Sequence, residues 1–113
     1  KESVHAAMAA ASIGPSQRPP MATELYAAGR VIGFKCFDEN YDFLKCKVKD
    51  KEPSACAAEG EAVHKCVYSL YKEIGSKASA EFSALARCLD DSDLQVGKCK
   101  KLQQDFESAF YRA

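Results

Sequence analysis

Residues 36–66 read CFDENYDFLKCKVKDKEPSACAAEGEAVHKC, and their four cysteines, Cys36, Cys46, Cys56 and Cys66, stand with nine residues between each neighbouring pair. Ten positions along an α-helix advance about 15 Å and rotate through about 1000°, some 80° short of three full turns. Two cysteines so spaced share roughly one face of a helix but lie three turns apart, too far to bond to each other. Two such helices laid antiparallel can pair the four sulfurs across their seam. Cys46 then meets Cys56 beside the turn and Cys36 meets Cys66 at the open ends, both at the Cα separation of roughly 5.5 Å that a disulfide requires. In the chain-entropy account the inner bridge contributes about 3 kcal/mol and the outer about 3.5–4 kcal/mol, although nested loops do not add fully.

A chain of 113 residues is short for a core that stabilises itself by burial alone, so covalent help is expected. Its six cysteines make an even count, which reads as a cross-linked scaffold before it reads as a metal site. Structural zinc draws its ligands in close pairs, because the ion reaches only about 2.3 Å to each sulfur. No such pair is present, and His64, two residues before Cys66, is a lone histidine of the kind that is more often solvated than ligating. No CXXC pair supports thiol–disulfide catalysis. Lys and Arg number 16, as do Asp and Glu, so bulk charge favours neither nucleic acid nor anionic lipid. No run approaches the roughly 18 apolar residues of a membrane helix, so the chain reads as soluble or peripheral to a membrane. The segment VHAAMAAASIG is mostly alanine, contains His5 and lacks a convincing cleavage context, and so reads as no secretory signal.

The pattern predicts an all-α fold of two tandem disulfide-bridged helical hairpins behind an extended N-terminal arm. Residues 1–33 form the arm, broken by Gly14, Pro15, Pro19 and Pro20, and a short helix that Thr23 caps and that ends at Gly29 or Gly33. Residues 34–75 form the first hairpin. Its first helix, over 35–49, aligns Phe37, Tyr41, Leu44 and Val48 on one face. Pro53 opens the second helix, which carries Cys56, Val63, Cys66, Val67, Leu70 and Ile74 to a C-cap at Gly75. Residues 76–113 form the second hairpin. Phe82, Leu85 and Leu89 line its first helix, DDSD makes the turn with an N-cap at Asp91 or Ser92, and Val96, Cys99, Leu102, Phe106 and Phe110 line the last helix.

Cys88 and Cys99 flank that turn in the place of an inner bridge. Ten residues before Cys88 stands Ala78, and ten after Cys99 stands Ala109, where an outer bridge would be. The second hairpin thus reads as a degenerate copy of the first with both partners of one bridge replaced together, since a lone remaining thiol would be reactive.

These cysteines resemble the twin CX9C, or CHCH, family of the mitochondrial intermembrane space, fully over 36–66 and in reduced form over 78–109. With GFKC, EFSALARC and KCKKLQQDFESAF in this order, the two units look like the PGIV-type accessory subunits of mitochondrial NADH:ubiquinone oxidoreductase, complex I. The chain departs from that pattern at Ala78 and Ala109. The resemblance implies import into the intermembrane space, oxidative folding there, and a place peripheral to the inner membrane. It implies no cofactor, and as partners other complex I subunits and the oxidative import machinery. Phe43 and Leu44 beside Cys46, or Val63 and Val67 around Cys66, would dock the oxidoreductase of that compartment.

No nucleophile with an adjacent base, no carboxylate pair in an evident pocket and no glycine-rich phosphate loop is visible, so the chain reads as no enzyme. Asp90, Asp91 and Asp93 read as turn and capping groups, lacking the downstream Glu of a calcium loop. No cysteine pair for copper delivery precedes the first helix. What remains is surface. The stripe Phe37, Tyr41, Leu44 and Val48 points away from the disulfide seam, and is either covered by the second hairpin or offered to a partner, with Phe106, Phe110 and Tyr111 as further contacts. The reading is a rigid clamp on the intermembrane-space face of the membrane arm. The alternatives are a free assembly factor of a respiratory complex and a secreted helical carrier of a small apolar ligand.

Overall fold

In the computed structural model, which describes residues 9–112, residues 9–11 are helical and five longer α-helices follow among the described residues. They are α1 (Ala22–Lys35), α2 (Phe37–Lys49), α3 (Ala57–Lys77), α4 (Ser79–Asp91) and α5 (Lys100–Arg112), and single 3-10 turns at Pro53–Cys56 and Val96–Cys99 lead into α3 and α5. The alanine-rich segment that begins at Val4 is described from Ala9 onward, and its first residues, His5 among them, lie outside the described part. The predicted all-α class and the two bridged hairpins are what the structure shows.

One core serves most of the chain. Phe82, Leu85 and Leu89 of α4 and Phe106 and Phe110 of α5 pack with Leu70, Tyr71 and Ile74 of α3 and with Ala27, Ala28 and Val31 of α1. An aromatic chain runs through it: the Tyr71 and Phe82 ring centroids lie 6.2 Å apart, Phe82 and Phe106 5.3 Å, and Phe106 and Phe110 6.2 Å. Two consecutive small residues on α1, Ala27 and Ala28, are fully covered where that helix lies along α4. Helix α2 contributes no buried residue.

Several boundaries differ from those read in the sequence. Thr23 sits inside the first turn of α1, and Met21 takes the N-cap position. The Glu24 carboxylate decides this, since its Oε1 accepts the Met21 backbone N–H at 2.8 Å. α1 passes both Gly29 and Gly33 to Lys35, because Val31 is buried and holds the helix to the core. Gly75 is buried inside α3 rather than capping it, and the helix runs to Lys77 with Ala78 at its C-cap. α4 continues to Asp91, so neither Asp91 nor Ser92 starts the next segment. The reversal falls at Asp93 and Leu94, with φ of 59° and 64°, and Gln95 is the N-cap that follows. Leu94 holds this left-handed conformation because its side chain packs on the core and its N–H reaches the Leu89 carbonyl at 2.7 Å.

The arm is part of the fold. Ala10 and Ile13 are core residues, and Arg18 clamps the arm to α1. Its Nη1 and Nη2 donate to Oε1 and Oε2 of Glu24 at 2.9 and 2.8 Å, and Nη2 also donates to the Ala9 carbonyl at 2.9 Å. On the inner side the Tyr71 hydroxyl donates to the Glu24 backbone carbonyl at 3.1 Å, tying α3 to the same point. Burial pushes the Glu24 carboxyl up, but the Arg18 hydrogen bond, the Met21 N–H and the Arg18 charge together outweigh it and hold the group below its ordinary value. Burial, with Glu24 nearby, pushes the Tyr71 hydroxyl well up.

A carboxyl lowered in the folded state contributes stability above its unfolded value and loses it as pH falls. Stability should therefore decline as pH drops below the ordinary glutamate value of 4.5, and Glu24→Gln should flatten that decline while lowering stability at neutral pH. Denaturant unfolding of both proteins from pH 7 to pH 3 checks it, and parallel curves would remove Glu24 from the account.

Candidate functional site

The first hairpin is built from sulfur outward. Cys36 joins Cys66 with Cα atoms 6.0 Å apart, and Cys46 joins Cys56 at 5.9 Å, so α2 is fastened to α3 at its base and near its tip. Between the bridges Phe43 leans on Gly60, where an added Cβ would stand 3.4 Å from the ring. That close approach is what lets the two helices lie at disulfide distance. Cys36 itself is the single non-helical residue between α1 and α2, and it is buried in the core.

On the side of α2 opposite Cys46, Phe37, Tyr41, Leu44 and Val48 are 59%, 52%, 60% and 82% exposed. The Phe37 and Tyr41 rings stack at 5.9 Å and 9°, and Lys45 stands over Tyr41 with its ammonium 5.1 Å from the ring centroid. Tyr41, Leu44 and Val48 line a shallow groove with Lys45, Lys49 and Glu59 at its edges. The second hairpin leaves this stripe open. Such a run of large apolar side chains can bury against another surface, and it has no chemistry of its own.

No family model matches the chain. It is 34% identical over 98 residues to "NADH dehydrogenase [ubiquinone] 1 alpha subcomplex subunit 8-A" of Arabidopsis thaliana, covering 87% of this chain and 91% of that protein. Subunit 8-B of the same plant is 34% identical over 88 residues, with 78% and 83% covered. The chain belongs to the subunit 8 family. A further relative, the "NADH-ubiquinone oxidoreductase 20.8 kDa subunit" of Neurospora crassa, is 32% identical over 90 residues, which span 78% of this chain and 46% of that one.

In this subunit 8 family member the two hairpins follow the same plan, the second with one more residue between its inner cysteines. Cys36 and Ala78 are each the one residue between two consecutive helices, and both are buried. Cys46 and Cys88 are half-buried in the last turn of a helix, Cys56 and Cys99 are buried at the end of a 3-10 turn, and Cys66 and Ala109 are half-buried on the helix that follows. Cys88 joins Cys99 with Cα atoms 6.0 Å apart, and Ala78 and Ala109 hold the places of Cys36 and Cys66.

The structure divides the expected contact residues. Phe37, Tyr41, Leu44 and Val48 come together on one open face. Phe106 and Phe110, at 0% and 1% exposure, are core residues and leave no surface for a partner, a correction that follows from α5 turning its stripe onto α3 and α4. Tyr111 is 47% exposed and packs edge-on against Phe34, centroids 6.0 Å apart. Phe34, with Met21 at the N-cap and Leu25 and Tyr26, makes a further set of exposed large apolar side chains along α1. Sequence reasoning missed these, although α1 has apolar residues on both sides and only Arg30 as a charge on its outer side. Val63 and Val67 are half-buried, His64 is exposed beside Tyr68, and Asp90, Asp91 and Asp93 are exposed around the turn. Among the described residues no group of three or more potential metal ligands converges, and all six cysteines are paired.

Two outcomes test this architecture. Replacing Cys46 and Cys56 together by serine should speed amide exchange in α2 roughly a hundredfold while leaving α4 and α5 protected, read by hydrogen exchange. The pair Ala78→Cys and Ala109→Cys should close a fourth bridge on oxidation, seen as an intact mass lower by two hydrogens with no reactive thiol, and raise stability by about 2–4 kcal/mol.

Proposed function

We propose that the chain is a non-catalytic accessory subunit of mitochondrial complex I, seated on the intermembrane-space face of the membrane arm, where it clamps neighbouring subunits and supports their assembly. The observation that carries this reading is α2, a helix held rigid by two bridges with four large apolar side chains facing outward, in a chain whose relatives are named as subunits of this enzyme. Three disulfides suit an oxidising compartment. Among the described residues no helix is long and apolar enough to cross a membrane, which fits attachment from one side.

In this reading the partners are adjacent complex I subunits, reached through Phe37, Tyr41, Leu44, Val48 and Tyr111, together with the oxidoreductase that closes the bridges on import. Phe43 and Leu44 beside Cys46, or Val63 and Val67 around Cys66, meet that oxidoreductase before the helices lock. Native separation of mitochondrial membranes tests the proposal. The chain should migrate with NADH dehydrogenase activity, and its depletion should reduce assembled complex. A pool that stays free of the complex would identify an assembly factor instead.

A further inference from the structure

We propose that the α2 stripe receives one antiparallel amphipathic helix of a neighbouring subunit, acidic where it passes Lys45 and Lys47 and basic where it passes Asp38. The inference rests on the reading of the chain as a complex I subunit and names the chemistry of what that surface holds.

Phe37, Tyr41, Leu44 and Val48 are spaced by four, three and four residues, the alternation of a two-helix seam. They fall within an arc of about 60° on the helix. Asp38 and Lys45 border one edge and Asn40 and Lys47 the other. Charge is segregated along the axis, with Asp38 and Glu39 in the first turn, Asp42 after them, and Lys45, Lys47 and Lys49 toward the tip. A helix running the opposite way brings its N-terminal end, where acidic residues are favoured, to those lysines and its basic C-terminal end to Asp38, with the two macrodipoles opposed. Lys45 over Tyr41 holds its ammonium at the seam's border, and Lys47 stands over Phe43, 5.7 Å from the ring centroid.

Other occupants fit less well. A helix lying in a lipid surface presents an apolar face wider than about 100°, and here Asp38 on the border would face anionic headgroups. A second copy of this chain would meet through four side chains on each side, short of the roughly 1,200 Å² of a stable free dimer. A subunit already held by other contacts needs far less from this one surface.

The test places a photo-reactive p-benzoylphenylalanine at Val48 of the full chain in mitochondria, followed by irradiation, native isolation of complex I and mapping of the cross-link. The expected product joins α2 to a helical segment of one neighbouring subunit. In parallel, Lys45→Glu with Lys47→Glu should lower retention of the chain in complex I on the order of tenfold as salt is raised, whereas Lys45→Arg with Lys47→Arg should retain it. These positions bury nothing in the core, so both double variants should keep all three bridges, checked by intact mass. A cross-link to lipid alone or to a second copy, or full retention of the glutamate variant, overturns the proposal. Absence of the wild-type chain from complex I would overturn the underlying reading, and is seen before any cross-link is mapped.

Discussion

Helix α2 buries no residue, and two sulfur–sulfur bonds hold it against α3. A helix held by hydrophobic burial must turn its apolar face inward. A covalent fastening is indifferent to solvent, and so it frees that face. The outward stripe of Phe37, Tyr41, Leu44 and Val48 is thus a direct consequence of how the hairpin is closed. The bridges take the place of a core for this part of the molecule, and the remaining apolar side chains become available to something else.

The second hairpin shows the opposite allocation. It has one bridge, Cys88–Cys99, beside the turn, and its base is held by Phe82, Phe106 and Phe110 packed against Tyr71 and covered by α1. Where aromatic burial is dense, Ala78 and Ala109 stand in the positions that Cys36 and Cys66 occupy in the first hairpin. Burying side chains of this size contributes on the order of 1.5–3 kcal/mol each, comparable to one bridge. The Arg18–Glu24 pair then fastens the arm and α1 over this core, and the Tyr71 hydroxyl connects that clamp to α3. A rigid platform at one end thus supports a cross-linked projection at the other.

Much of this was legible in the residues. The ten-residue spacing of cysteines has few geometric solutions on helices, and the periodic stripes of α3 and α4 named the core residues Leu70, Ile74, Phe82, Leu85 and Leu89. Helix ends were less legible. Thr23, Gly75 and Asp91 carry the usual boundary chemistry, yet each end moved by a few residues: the local bond from the Met21 N–H to the Glu24 carboxylate set the start of α1, packing of Ile74 and Ala78 extended α3, and Leu94 set the turn.

The sequence by itself determined the class of fold, the hairpin plan and which residues form apolar stripes, because period and cysteine spacing are properties of a single chain. It did not determine which stripes meet each other. Phe106 and Phe110 read like the residues of α2 as an outward surface, and only the placement of α5 on α3 and α4 sent them inside. The arm, a tail or a strap by its sequence, is a strap because Ala10 and Ile13 enter the core and Arg18 pairs with Glu24, and the packing of α1 leaves Phe34, Leu25 and Tyr26 exposed. Burial is decided by how helices are arranged relative to one another, and that arrangement depends on contacts between residues far apart in the chain.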